Sequence, residues 1–191
     1  MSSVRRLHRY TYADYVALEQ QSPTKHEFLE GEIYAMAGGS EEHSALAAEC
    51  LRVLGNAVGD RACRVHTSDL RVYVEAVGLA TFPDGAVICG SLDQHAPSPK
   101  ATALNPMVLL EVTSDPSEEY DNGDKLDYYR TIPALCEYIV ISHRERRITV
   151  HGRPPQGEWT TRVAIAGGRA AVGSLGAELI VDEIYRASSI A

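Results

Sequence analysis

Hydrophobic and polar positions follow two rhythms along this chain, and the changes between them mark its elements. Thr11 followed by Asp14 predicts a capping box at a helix start, and Tyr12, Tyr15, Val16 and Leu18 give that helix an apolar side. Ser22-Pro23 ends it. In HEFLEGEIYAM the central Glu30-Gly31 reads as a tight turn between two short strands. Ser40 is a good N-cap, with Glu41 and Glu42 in the first turn where they complement the helix dipole. From there to about Gly59, Leu46, Cys50, Leu54 and Ala57 fall on one face, the clearest amphipathic helix in the chain.

After Arg64 the rhythm becomes that of strands. Leu70, Val72 and Val74 alternate with Arg71, Tyr73 and Glu75, which predicts a half-buried strand. Phe82-Pro83 leads into DGAVIC, a short apolar strand, and the polar stretch from Asp93 to Asn105 reads as a loop. Met107 to Val112 is a nearly continuous apolar run, the pattern of a central strand covered on both faces. Asp115 to Gly123 reads as a loop, Asp124 to Thr131 as a helix stopped by Pro133, and CEYIVIS and RRITVHG as two strands at hairpin distance. Strands at Glu158–Ile165 and Leu179–Val181 and a turn of helix near Asp182 complete the pattern.

A length of 191 residues suits one domain, and 45% hydrophobic with 23% charged residues is the profile of a globular protein. No apolar run is long enough to span a bilayer, and no apolar segment of a secretory signal follows MSSVRRLHRY. Cys50, Cys63, Cys89 and Cys136 form no CxxC pair. They are expected to be reduced core thiols of a cytoplasmic protein. The net charge of −8 does not favour gripping a polyanion, although Arg5, Arg6, Arg9, Arg144, Arg146 and Arg147 could form a basic patch or simply be solvated.

Within this frame Glu111 calls for an explanation, because a charge inside a central strand is costly unless paired or metal-bound. A strand-end carboxylate turned to solvent, or a salt bridge, would explain it. Two other residues suggest more. Asp84 opens another core strand just after a proline, and strand ends of open α/β sheets are where sites are built. Lys125 begins the helix after the Glu111 strand, the wrong end for a cation to serve the helix dipole. Asp84 and Glu111, with the Val112 carbonyl, could offer oxygen ligands to Mg²⁺ or Mn²⁺. Lys125 could orient or deprotonate a water or stabilise charge on a phosphate.

Asp…Glu-x-Lys is the signature of the PD-(D/E)xK phosphodiesterases, and the chain resembles one branch of them, the Uma2 family of restriction-endonuclease-like proteins. The matching segments are YTYADYVAL, HEFLEGEIYAM, EEHSALAAECL, SDLRVYV, PDGAVICG and LLEVTSDPSEEYDNGDKLDYYRTIPALCEYIVIS, in family order. The resemblance implies an α/β fold: a restriction-endonuclease-like core, a mixed sheet flanked by helices, over about residues 10–150. A C-terminal strand extension would cover about 151–191. It implies a metal-dependent endonuclease acting on DNA through Asp84, Glu111 and Lys125. Lys125 is displaced onto the following helix, since position 113 is Thr. Glu27 matches a family acidic position and would be a supporting residue or extra ligand. His43 also matches; it would contact substrate or serve a structural hydrogen bond. Tyr128 and Tyr129 are expected to pack rather than to stack on bases. A homodimer suits the cutting of two strands. A module that keeps the fold and binds nucleic acid or protein without catalysis is the alternative.

Overall fold

The computed structural model describes residues 9–95, 101–154 and 157–190. Helix α1 (Tyr12–Gln21) is followed by the hairpin of β1 (His26–Leu29) and β2 (Glu32–Ala35), then by the long helix α2 (Glu41–Val58). Next come β3 (Cys63–Thr67), β4 (Arg71–Val74), β5 (Leu79–Thr81), β6 (Gly85–Cys89), β7 (Thr102–Ala103) and β8 (Val108–Val112). Two short helices, α3 (Glu118–Asn122) and α4 (Asp124–Tyr129), cross over to β9 (Glu137–Ile141). The chain finishes with β10 (Arg147–Gly152), β11 (Thr160–Ile165), β12 (Arg169–Val172), β13 (Ala177–Ile180) and α5 (Val181–Ile184).

These elements make mixed sheets flanked by helices. One sheet has the order β2-β1-β5-β4-β7, and the larger has β11-β10-β9-β8-β6-β3. β8 and β9 run parallel, as a crossover through helices requires, while β6 and β8 are antiparallel. Alternation of side chains across each strand builds separate cores. Val108, Leu110 and Val112 of β8 face α2 and the β12–β13 hairpin. Leu109 faces the opposite way, into a cluster shared by the smaller sheet and by Leu126 and Tyr129 of α4. A third cluster packs Tyr15 and Val16 of α1 against Phe28 and Ala80.

Local chemistry accounts for the boundaries. Thr11 and Asp14 form the reciprocal capping box of α1, and the Ser40 hydroxyl accepts from the His43 amide at the start of α2. Glu30 and Gly31 both have positive φ, the conformation that a two-residue hairpin turn requires. Gly85 permits close packing of α2 on the sheet: a Cβ there would lie 2.6 Å from the Leu51 side chain.

Four features depart from the sequence expectations. The segment Asp115–Gly123 is not all loop, because α3 occupies its second half. Strands β5, β7 and β12 are too short to announce themselves by alternation. Arg71, expected on a solvated face, is 2% exposed and lies beneath the rings of Tyr12, Tyr15 and Phe82. It donates to Thr102 Oγ1. The cysteines are not all reduced: Cys63 and Cys89 form a disulfide, while Cys50 and Cys136 are free. Spacing along the chain could not reveal this bond, because the antiparallel β3–β6 register is what sets the two residues opposite each other. The bond removes the thiol-based argument for a reducing compartment. Among the described residues, no helix is long and apolar enough to cross a membrane.

The C-terminal strands are tied into the main sheet through Glu137. Its buried carboxylate accepts from the amides of Gly173 and Ser174, the Ser174 hydroxyl and the Arg162 guanidinium. Near it, His151 stacks on Tyr138 and bonds Thr161 through Nδ1, while its Nε2 is buried without a partner among the described residues. Burial pushes the His151 imidazole down to about 4, and Arg130 adds to the shift.

Two predictions follow from this architecture. Thiol titration of the unfolded, unreduced protein should find the two free cysteines, and Cys63→Ser/Cys89→Ser should lower unfolding free energy by about 2–4 kcal/mol in urea. The second concerns pH. Because folding depresses the His151 pKa, its contribution is complete above the unfolded value near 6.5 and is lost as pH falls from there towards about 4. Stability should drop by about 1–3 kcal/mol over that window. His151→Phe should flatten that part of the urea-midpoint profile.

Candidate active site

Sheet pairing alone brings the first two residues together. Gly85 of β6 is opposite Leu110 of β8, so the preceding residue of one strand, Asp84, meets the following residue of the other, Glu111. Hydrogen bonds run both ways between the two strand ends. The Val112 amide donates to Asp84 Oδ2 at 2.8 Å, and the Asp84 amide reaches Glu111 Oε2 at 3.4 Å. The Glu111 side chain projects on the Leu109 side of β8, the side that α4 covers.

Lys125, in the first turn of α4, enters the same space. Its Nζ is 2.7 Å from Glu111 Oε1, 3.4 Å from Asp121 Oδ1 and 4.0 Å from Glu27 Oε2. The rings of Tyr120 and Tyr129 lie within 6 Å of the ammonium, at 5.6 and 5.9 Å. Lys125 is 4% exposed, Glu111 5% and Asp121 2%, so this is a buried charge cluster and not a surface ion pair. Tyr129 donates to Glu111 Oε1 at 2.8 Å. Glu27 is held by Thr81 Oγ1 at 2.7 Å and by the Tyr120 hydroxyl.

The electrostatics follow from one cation among several carboxylates. Burial pushes the Glu111 carboxyl above its ordinary value; Lys125, 2.7 Å away, opposes the rise, and Asp121 and Asp84 add to it. Burial likewise raises Asp121 against the pull of Lys125. For Lys125 burial acts downward, but Glu111, Asp121 and Glu27 together outweigh it and hold the ammonium above its ordinary range. His43 Nε2 sits 3.1 Å from Asp84 Oδ2. The hydrogen bond to Asp84 raises the imidazole against burial, and the Val112 backbone contributes to the rise.

The sequence expectation named Asp84, Glu111, Val112, Lys125 and Glu27, and all of them are neighbours in the fold. It missed the supporting set. Tyr129 was read as a packing residue, yet its hydroxyl fixes Glu111. Asp121 lay within a supposed loop, although its spacing of four residues from Lys125 was a readable signal. Thr81 and Tyr120 carry no signal in the sequence, since only the tertiary fold brings them to Glu27.

The donor set fits a hard divalent cation. Among the described residues no hydrogen bond reaches Asp84 Oδ1, and Glu111 Oε2 receives only the long bond from the Asp84 amide. Among the described residues, no group of three or more His, Cys, Asp or Glu side chains forms a full metal cage there. Mg²⁺ does not need one, since it commonly keeps several waters and takes one or two carboxylates.

The Uma2 family model, described as "Putative restriction endonuclease", matches residues 12–181. This chain belongs to the Uma2 family. Two curated relatives from Synechocystis sp., both uncharacterized, are similar to it. The protein slr1290 is 31% identical over 91% of this chain and 90% of its own length; sll1609 is 31% identical over 78% and 84%. A crystal structure from Anabaena variabilis, titled as a "putative nuclease belonging to DUF820", superposes with a TM-score of 0.69. That match covers 90% of this chain and 97% of the other at 21% identity, which establishes a shared fold for this Uma2 protein.

Removing the ammonium should expose the cost of the cluster. Lys125→Met should destabilise the protein by about 3–5 kcal/mol at neutral pH, because Glu111, Asp121 and Glu27 lose their common counter-charge. Adding Glu111→Gln to Lys125→Met should recover part of that loss. Urea denaturation of the single and double variants measures both effects.

Proposed function

We propose that this Uma2 protein is a metal-dependent endonuclease that hydrolyses DNA phosphodiester bonds. The observation that supports this most strongly is the meeting, at one end of the sheet, of two carboxylates with available oxygens and a buried ammonium 2.7 Å from one of them. A bound Mg²⁺ or Mn²⁺ supplies Lewis acidity at the phosphate and a more acidic water. Asp84 and Glu111 would hold it, with the Val112 carbonyl as a further oxygen.

The other residues have roles that follow from their contacts. Lys125, placed as an ammonium among carboxylates, would stabilise negative charge on the phosphate. Tyr129 holds one Glu111 oxygen and leaves the other turned towards Asp84. Glu27 positions Lys125 from 4.0 Å and is itself fixed by Thr81 and Tyr120. His43 orients Asp84. The whole chain acts as one domain, and two copies related by a two-fold axis would present a site to each DNA strand.

A second reading, a binding module without catalysis, draws on the charge distribution. The net charge is −8, and several basic side chains are engaged internally. Arg144 pairs with Asp115 and Glu118, Arg147 with Glu145, and Arg146 donates to the Ile190 carbonyl. Arg9 is exposed, whereas Arg5 and Arg6 lie outside the described residues.

A cleavage assay on supercoiled and single-stranded DNA with Mg²⁺ or Mn²⁺ separates the two. Wild type should cut, EDTA should abolish cutting, and Asp84→Asn, Glu111→Gln and Lys125→Gln should each lower the rate about 100-fold or more. If wild type cuts no faster than these variants, the catalytic reading fails.

A further inference from the structure

A cleft of about 310 Å³ opens where the edge strand β3 meets the turn after β6. Arg64 and His66 of β3 line one side, and Ile88 of β6 with the turn residues Gly90, Ser91 and Leu92 lines the other. That volume is at the lower end of ligand-binding cavities. The walls are fixed to each other. The Cys63–Cys89 disulfide joins the two strands beside the cleft, and the Gly90 amide donates to the Ala62 carbonyl at 2.6 Å. Asn105 pins the turn: its Nδ2 donates to the Ser91 carbonyl and its Oδ1 accepts from the Asp93 amide, both at 2.9 Å. Walls held in this way lose little freedom when a ligand arrives.

The charge in the cleft has no internal answer. Elsewhere Arg144, Arg147, Arg162 and Arg169 each pair with a carboxylate. Among the described residues, neither the Arg64 guanidinium nor the His66 imidazole makes a hydrogen bond or ion pair. Strand register sets them on one face of β3, with Arg64 beside Ile88 and His66 beside Ala86. Burial holds the imidazole below its ordinary value, and Arg64 adds to the shift. The six lining residues include no carboxylate. A guanidinium and an imidazole kept together without a counter-charge, in a chain of net charge −8, suit an anion from outside. Ile88 and Leu92 give that anion an apolar surface on which to rest a flat body.

We infer that this cleft seats a nucleotide phosphate, with Arg64 pairing with the phosphate, His66 donating a hydrogen bond to it, and the base lying against Ile88 and Leu92. Ala86 pairs with both His66 and Leu109, so the cleft lies on the face of the sheet from which Glu111 projects. Ile88 stands four residues along β6 from Asp84, about 13 Å. That is the rise of about four nucleotides in one strand of a duplex. The phosphate would then belong to DNA beyond the cut, a part of the inference that rests on the nuclease reading. A free mononucleotide would make the same contacts.

The test begins without metal, so that the Asp84–Glu111 pair takes no part. Wild type, Arg64→Ala, His66→Ala and the surface control Arg186→Ala, each checked for an unchanged melting temperature, are titrated calorimetrically in EDTA with deoxythymidine monophosphate and with thymidine. Wild type should bind the monophosphate saturably and thymidine at least tenfold more weakly. Arg64→Ala should weaken monophosphate binding about tenfold or more, His66→Ala by less, and Arg186→Ala should stay within about twofold of wild type. The inference is overturned if wild type does not bind the monophosphate or binds thymidine as well. It is equally overturned if Arg64→Ala binds like wild type, or if Arg186→Ala loses as much. A second arm titrates a DNA duplex in Ca²⁺ over a range of salt. Where the seat serves DNA, Arg64→Ala should weaken binding and lower the salt slope by about one. A loss confined to the monophosphate upholds the seat for a free nucleotide and takes it off the DNA path. Arg64-dependent binding without DNA cleavage by wild type in Mg²⁺ or Mn²⁺ upholds the cleft and sinks the nuclease reading. Cleavage by wild type with no monophosphate binding does the reverse.

Discussion

The arrangement depends above all on one ammonium buried among carboxylates. Taking Lys125 out of water costs several kcal/mol, as does taking out each carboxylate beside it. Only their mutual attraction, with hydrogen bonds to the remaining oxygens, makes the cluster tolerable. Tyr129, Tyr120 and Thr81 supply those bonds. An interior designed for stability alone would do as well with well-packed apolar residues of similar volume. That the chain keeps one cation and a surplus of negative charge at a strand end is the physical basis for proposing chemistry here.

Much of the fold was legible because its main elements are periodic. The 3.6-residue pattern of α2, the apolar runs of β6, β8 and β9, and the Glu30-Gly31 turn are each local in origin. Strands of two to four residues such as β5, β7 and β12 are too short to display a period, and tertiary pairing creates them. Arg71 shows a different limit. Alternation assigned it to solvent, but rings from α1 and the Thr102 hydroxyl make its burial affordable. The disulfide had no local signature at all, since it depends on the register of two neighbouring strands whose cysteines lie 26 residues apart, with β4 and β5 between them in the chain.

The candidate site was legible in part for the same reasons. A charge in an apolar strand is visible from sequence, and so is a lysine at the unfavourable end of a helix. Whether they meet is a question of topology. The parallel β8–β9 pairing with a helical crossover answers it by carrying α4 back over the face from which Glu111 projects. Strand-end carboxylates and the family resemblance both pointed to Asp84 with Glu111, and the β6–β8 ladder gives the physical cause of their meeting. The residues around them stayed hidden because Tyr129, Thr81 and Tyr120 look like ordinary packing residues until their hydroxyls are placed.

The two carboxylates and the lysine are anchored by different kinds of scaffold, and this bears on how such a site can change over generations. Asp84 and Glu111 owe their separation to a ladder of backbone hydrogen bonds, which a shift of one residue would disrupt along both strands. Lys125 reaches its place as a long, flexible arm from a separate helix. Its point of attachment can therefore migrate along the chain while the tip returns to the same spot. On the proposed reading, Thr113 in the usual lysine position is a relocation of the charge and not its loss. In proteins of this architecture, the strand carboxylates are the fixed landmarks, and the cation is best sought by where its tip arrives.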